Sequence, residues 1–137
     1  VQPEDPPMTL GSWSASPLSL ERPDVTCVIA DNDMNSWQPI TIGRGRSIKL
    51  NKARYVMVRT TFVPYVEYRE GGGALVFKNL AEIWLNGKLL GKKDELQEKD
   101  FKVDFPSTKG ICDLRVLLQA VPNAYVGLKG SVNLQGK

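Results

Sequence analysis

Asn86-Gly87 stands between two apolar stretches, AEIWL (81–85) and KLLG (88–91), and constrains the fold more than any other feature of the chain. Both residue types tolerate the positive φ that a two-residue type I′ turn requires at its central positions, so the segment predicts a tight antiparallel hairpin. A lone hairpin is marginal in water and needs further strands to cover its apolar face.

The flanking sequence supplies them. ICDLRVLLQA (111–120) puts Cys112, Leu114, Val116, Leu118 and Ala120 on one face and Asp113, Arg115 and Gln119 on the other, the period of a half-buried strand. AYVGLKGSVNL (124–134) repeats this, with Val126, Leu128, Val132 and Leu134 opposite Lys129, Ser131 and Asn133, and its glycines suit a strand that bends or bulges. RYVMVRTTFVPYVEY (54–68) is β-branched and aromatic, and Pro64 sets an edge or a kink within it. TCVIA (26–30), QPITI (38–42), SIKL (47–50), ALVFKNL (74–80) and FKVDF (101–105) bring the total to roughly ten short strands, as in a sandwich or barrel. REGGGA (69–74) reads as a glycine-rich connection, and KKDELQEKD (92–100) as a solvated loop with a helical turn.

One two-layer all-β domain satisfies this pattern. At 137 residues with 42% apolar content, the chain can bury a core without a metal or a disulfide framework. Residues 1–9, opening VQPEDPP, read as a linker, and 10–137 as a single β-sandwich domain excised from a larger protein. Trp13, just after that linker, is expected to dock on a neighbouring domain or to cover the sandwich edge. Cys27 and Cys112 each lie in a strand-like run, which predicts two buried small hydrophobes or, alternatively, a single bridge.

The net charge of +3 comes from 18 basic and 15 acidic residues that are interspersed, which does not make a nucleic-acid surface. No apolar run approaches the roughly 18 residues of a membrane helix. The expected partners therefore include neither nucleic acid nor membrane.

The chain contains no histidine, which removes Ser-His-Asp and Cys-His nucleophile activation and most catalytic zinc sites. Glycoside hydrolysis needs only a carboxylate pair, but Glu67, Glu70, Glu82, Asp94, Glu95, Glu98 and Asp100 mostly stand in polar, loop-like sequence where a raised pKa is not expected. No catalytic residue is assigned. Asp31, Asp33 and Asn35 offer oxygen ligands at alternate positions, as a calcium loop does, yet Ser36 and Ile42 stand where an EF-hand needs Gly and Glu. A structural calcium of another kind is the one metal left open, and no other cofactor is expected. GRGR (43–46) lacks the later Gly and the Lys-Ser/Thr of a phosphate loop and reads as a turn carrying two exposed arginines.

RTTFVPYVEY followed by ALVFKNLAEIWLNGKLLGKK resembles the sugar-binding jelly-roll domain of glycoside hydrolase family 2 enzymes, the β-galactosidases and their relatives. Arg59, Phe62 and Pro64 match its long strand, and Ile83, Trp84, Leu85, Asn86, Gly87, Lys88, Leu90 and Gly91 match its hairpin. FKVDF with DLRVLLQ resembles its closing strands, and DNDMNSWQPITIG its Trp-containing loop. The entry to the long strand departs from the family pattern, with Tyr55-Val56-Met57-Val58 ahead of Arg59. The resemblance implies a galactose-binding-like β-sandwich and a periplasmic or extracellular setting. The family's catalytic glutamates lie in a separate barrel for which this chain has no room, so it also implies a non-catalytic accessory domain.

Two roles follow. One is carbohydrate binding, with Trp37, Tyr65, Tyr68 and Tyr125 as stacking platforms and Arg44, Arg46, Glu67 and Arg69 as hydrogen-bonding partners. The other is a spacer or docking domain held against a neighbouring catalytic domain of the parent chain, with no ligand of its own. Trp37 serves either role, because it also suits the sealing of a core.

Overall fold

The computed structural model describes residues 8–10, 12–17, 19–29, 31–40, 48–49, 55–63, 68–73, 80–95, 101–104, 110–119, 125–126 and 132–136. Twelve strands are present among them: β1 (Met8–Leu10), β2 (Trp13–Ala15), β3 (Gln38–Ile40), β4 (Ile48–Lys49), β5 (Tyr55–Phe62), β6 (Tyr68–Gly73), β7 (Leu80–Leu85), β8 (Lys88–Lys93), β9 (Phe101–Asp104), β10 (Cys112–Gln119), β11 (Tyr125–Val126) and β12 (Val132–Gly136). They form a six-stranded sheet ordered β3-β2-β5-β10-β7-β8, a four-stranded sheet ordered β1-β12-β6-β9, and the pair β11-β4. Every pairing is antiparallel, and the domain is an all-β sandwich. Among the described residues, no helix is long and apolar enough to cross a membrane.

The predicted hairpin is β7-β8. Asn86 at φ 49° and Gly87 at φ 84° both occupy the left-handed region, as a type I′ turn demands. β10 lies between β5 and β7, and its register explains the core. Ala15, Val58, Val116 and Ile83 fall in one transverse row and are all buried. Leu118, Val56 and Ala81 form a second row, and Leu114 and Leu85 a third. This is the inner face. Leu10, Val103 and Leu134 are the buried positions described in the four-stranded sheet.

Several expectations are corrected. TCVIA is not a strand: Val25 and Thr26 form a turn, capped by Asp24 accepting from the Thr26 N–H and hydroxyl. Cys27 is consequently exposed and Cys112 fully buried, both as free thiols. REGGG is not a connection but most of β6, paired on both sides by β12 and β9. A strand ladder is made by the backbone, and glycines there allow close approach from either face. Lys93, expected in a solvated loop, ends β8 with its side chain buried and its Nζ donating to the Glu95 carbonyl. Trp13 is a core residue, 3% exposed, with Nε1 donating to the Leu10 carbonyl at 2.9 Å. β1 begins at Met8, inside the stretch expected as linker, and pairs with β12. The segment 124–134 contributes to two strands in different sheets, β11 and β12.

Candidate functional site

The outer face of the six-stranded sheet carries a second apolar cluster and a row of charge. Chain 19–37, between β2 and β3, crosses this face. It is bridged at Ser19 to Tyr55 by reciprocal backbone hydrogen bonds of 3.0 Å. Val25 is buried with Met57 and Leu117, and Ile29, Trp37, Tyr55 and Trp84 pack around them. The hydrophobic effect thus closes the crossing segment onto the sheet at both ends.

Between the apolar contacts the register sets Arg59 directly opposite Arg115. Like charges facing each other across strands repel. Asp113, two residues before Arg115 on the same face, resolves this: its Oδ1 accepts from Arg59 Nε at 3.0 Å and Arg115 Nε at 3.1 Å, and its Oδ2 accepts from both Nη2 atoms at 3.0 Å. One carboxylate is held in two arginine forks. Burial pushes the Asp113 carboxyl up, but the hydrogen bonds and charges of Arg59 and Arg115 outweigh it, and its pKa lies below the ordinary value.

Arg115 then reaches the crossing segment, with Nη1 donating to the Val25 carbonyl at 2.8 Å and the Cys27 carbonyl at 2.6 Å. Arg22 ties the same segment down through a bidentate pair with Glu82, both distances 2.6 Å. The Arg22 hydrogen bond lowers the Glu82 pKa, with Trp84 Nε1 adding a third donor at 3.1 Å, and Glu82 raises that of Arg22. Neither Glu82 nor Asp113 has the raised pKa of a general acid.

Two open recesses flank the charged row. One, of about 310 Å³, lies by the hairpin turn between Asn86-Gly87, Asp113, Arg115 and the segment Thr26–Ile29. The other, of about 380 Å³, lies beside Arg59 and is walled by Ser14, Met34, Pro39 and Thr61.

Of the sugar-contact candidates, only Trp37 has a described side chain, and it is half-buried against the Val25 cluster, while the Trp37 backbone N–H donates to the Met34 carbonyl at 3.0 Å. Tyr68 and Arg69 open β6 and Tyr125 opens β11, so these positions and Trp37 belong to different parts of the fold. Arg44, Arg46, Tyr65 and Glu67 lie outside the described residues. Asp31, Asp33 and Asn35 fall in a 3-10 helix, Asp31–Ser36. At three residues per turn, positions two apart are about 120° apart around its axis. Among the described residues no group of three or more acidic, His or Cys side chains gathers for a metal.

Sequence reading placed Asp113 and Arg115 on a polar strand face but not in a site. Arg59, Ser14 and Thr61 were missed as site residues. The available signal was the presence of charged residues in two strands whose other face is apolar at every position but Thr60.

No protein-family model matches the chain, and no curated relative matches it. Solved structures do. A Faecalibacterium prausnitzii β-glucuronidase is similar over 100% of this chain and 33% of its own, at 14% identity and a TM-score of 0.65. A glycosyl hydrolase family 2 member from Bacteroides cellulosilyticus is similar over 94% and 20%, at 14% identity and TM-score 0.67. A Ruminococcus gnavus β-glucuronidase is similar over 98% and 30%, at 10% identity and TM-score 0.68. The chain thus spans a fifth to a third of these proteins, and it has the fold of a domain carried within such larger glycosidases.

Proposed function

We propose that this chain is a non-catalytic accessory domain of a family 2 glycoside hydrolase and that it binds carbohydrate, in the galactose-binding-like manner its hairpin motif suggests. The observation that carries the reading is a fold likeness covering 94–100% of this chain but 20–33% of the glycosidases it resembles. The chemistry agrees. The two carboxylates described in the outer-face site are held by arginines and have lowered pKa values, which suits positioning and not proton transfer. Binding is supported by the open recesses of the outer face, where a guanidinium, hydroxyls and an amide converge beside apolar walls. The parent activity would reside in another domain.

A docking role is the second reading, and one observation favours it. Val63 and Ile111, 60% and 73% exposed, follow the last β5-β10 pair, Phe62 with Cys112, and so end adjacent strands at the hairpin end of the sheet. Val28, 94% exposed, lines the recess at that same turn. Calorimetric titration with neutral and acidic glycans, galactosides included, decides between the two. Saturable heat with one class supports binding, whereas a folded but silent chain sinks it and leaves docking. Turnover of an aryl glycoside that persists through repurification defeats both.

A further inference from the structure

We infer that the recess beside Arg59 holds the carboxylate of an acidic sugar, an assignment that rests on the carbohydrate-binding reading above. It starts from a charge imbalance. Arg59 and Arg115 share one bonded anion, Asp113, with side chains only 17% and 11% exposed, and the further carboxylate of Asp24 lies within the field of Arg115, so the positive charge left uncompensated and partly withdrawn from water is that of Arg59. A partly desolvated excess charge favours an anionic ligand more strongly than a surface lysine does.

The excess falls on Arg59. A guanidinium has five N–H donors. Arg115 directs four toward oxygen: two to the Asp113 carboxylate and two to the carbonyls of Val25 and Cys27. Arg59 directs two to Asp113, and its Nη1 meets only the Met34 sulfur at 3.2 Å, a weak acceptor. Arg59 therefore retains donor capacity, and it is Arg59 that lines the larger recess.

The other walls suit a sugar ring. Ser14 is paired with Arg59 across β2-β5, and Thr61 stands two residues along on the same face. Neither hydroxyl is bonded to another described group. Met34 and Pro39 add apolar surface for the C–H groups of a ring. The recess, about 380 Å³, lies within the roughly 300–1,000 Å³ typical of small-ligand clefts. The hairpin-side recess has no equivalent, because Arg115 is already committed to backbone carbonyls.

The test is an amide NMR titration of the chain with methyl β-D-glucuronide, methyl β-D-glucoside and sodium sulfate. The glucuronide should bind about tenfold or more tighter than the glucoside, with shifts centred on Ser14, Arg59 and Thr61. Thr61→Glu places a competing carboxylate beside Arg59, at the exposed strand position paired with Asp113, and should bring the ratio to about one in a chain whose amide spectrum stays dispersed; Thr61→Gln, which adds no charge opposite Asp113, should keep the preference. Equal affinity for the two glycosides overturns the inference and leaves carbohydrate binding standing. Sulfate binding as tightly as the glucuronide makes this a bare-anion site and overturns it too, as does a preference that survives Thr61→Glu. Silence toward both glycosides here and toward every glycan in the calorimetric panel removes the inference together with the function it rests on.

Discussion

Asn86 and Asp113 hold each other twice: the Asn86 N–H donates to the Asp113 carbonyl at 2.9 Å, and the Asn86 Oδ1 accepts from the Asp113 N–H at 2.8 Å. The first bond extends the β7-β10 ladder. The second replaces the ladder acceptor at the point where the chain turns away. The residue that makes the hairpin thereby fixes the backbone of the residue that pairs both arginines, which couples the folding motif to the outer face.

Asn86→Ala should cost about 2 kcal/mol, since alanine bears the strain of positive φ and leaves the Asp113 N–H without its acceptor. Asn86→Gly relieves the strain alone and should cost about 1 kcal/mol. Urea midpoints of the three proteins would establish the order.

Stability should fall on acidification. Asp113 and Glu82 have folded pKa values below their unfolded values of about 4, so in the window from there downward the unfolded chain binds protons that the folded chain does not. Their contribution is complete above that window and is lost as pH drops through the folded pKa values. Asp113→Asn should be less stable at pH 7 but lose less between pH 7 and 3 than the parent, measured by denaturant midpoints across that range.

Arg115→Ala should destabilise by about 3–5 kcal/mol, because it strips Asp113 of one fork and the Val25 and Cys27 carbonyls of their donor. Arg115→Lys should recover only part of this, as an ammonium cannot bridge a carboxylate and two carbonyls at once. Hydrogen exchange over residues 22–29 should accelerate more than in the inner-face strands, and uniform acceleration would count against the tie.

One thiol per folded chain should react with a disulfide reagent. Cys27 is exposed, while Cys112 is fully buried and should react only on unfolding. Cys27→Ser should abolish the native-state reaction, which mass spectrometry would read directly.

Strand content was legible from the sequence because it follows from local chemistry. The Asn86-Gly87 turn needs only two residues with tolerance for positive φ, and the alternation of β10 picks out its inner-face positions Cys112, Leu114, Val116 and Leu118, all of them buried. Leu117 shows where that reading stops: it lies on the polar face yet is buried, because chain 19–37 packs over it. Alternation names the two faces of a strand but not what covers the second. For the same reason TCVIA, apolar enough for a strand, instead continues from the turn at Val25-Thr26, lends Ile29 to the outer cluster and leaves Cys27 exposed.

The candidate site belongs wholly to tertiary structure. Arg59 and Asp113 are 54 residues apart in sequence and Arg115 and Val25 are 90 apart, and only antiparallel register together with the crossing segment brings them into hydrogen-bonding distance. The sequence by itself determined an all-β chain built around one hairpin, since turn chemistry and period-2 burial are properties of neighbouring residues. Which charges share a face, which of them are compensated and where an open recess remains were decided by strand pairing, because electrostatic balance depends on distances that local sequence does not encode.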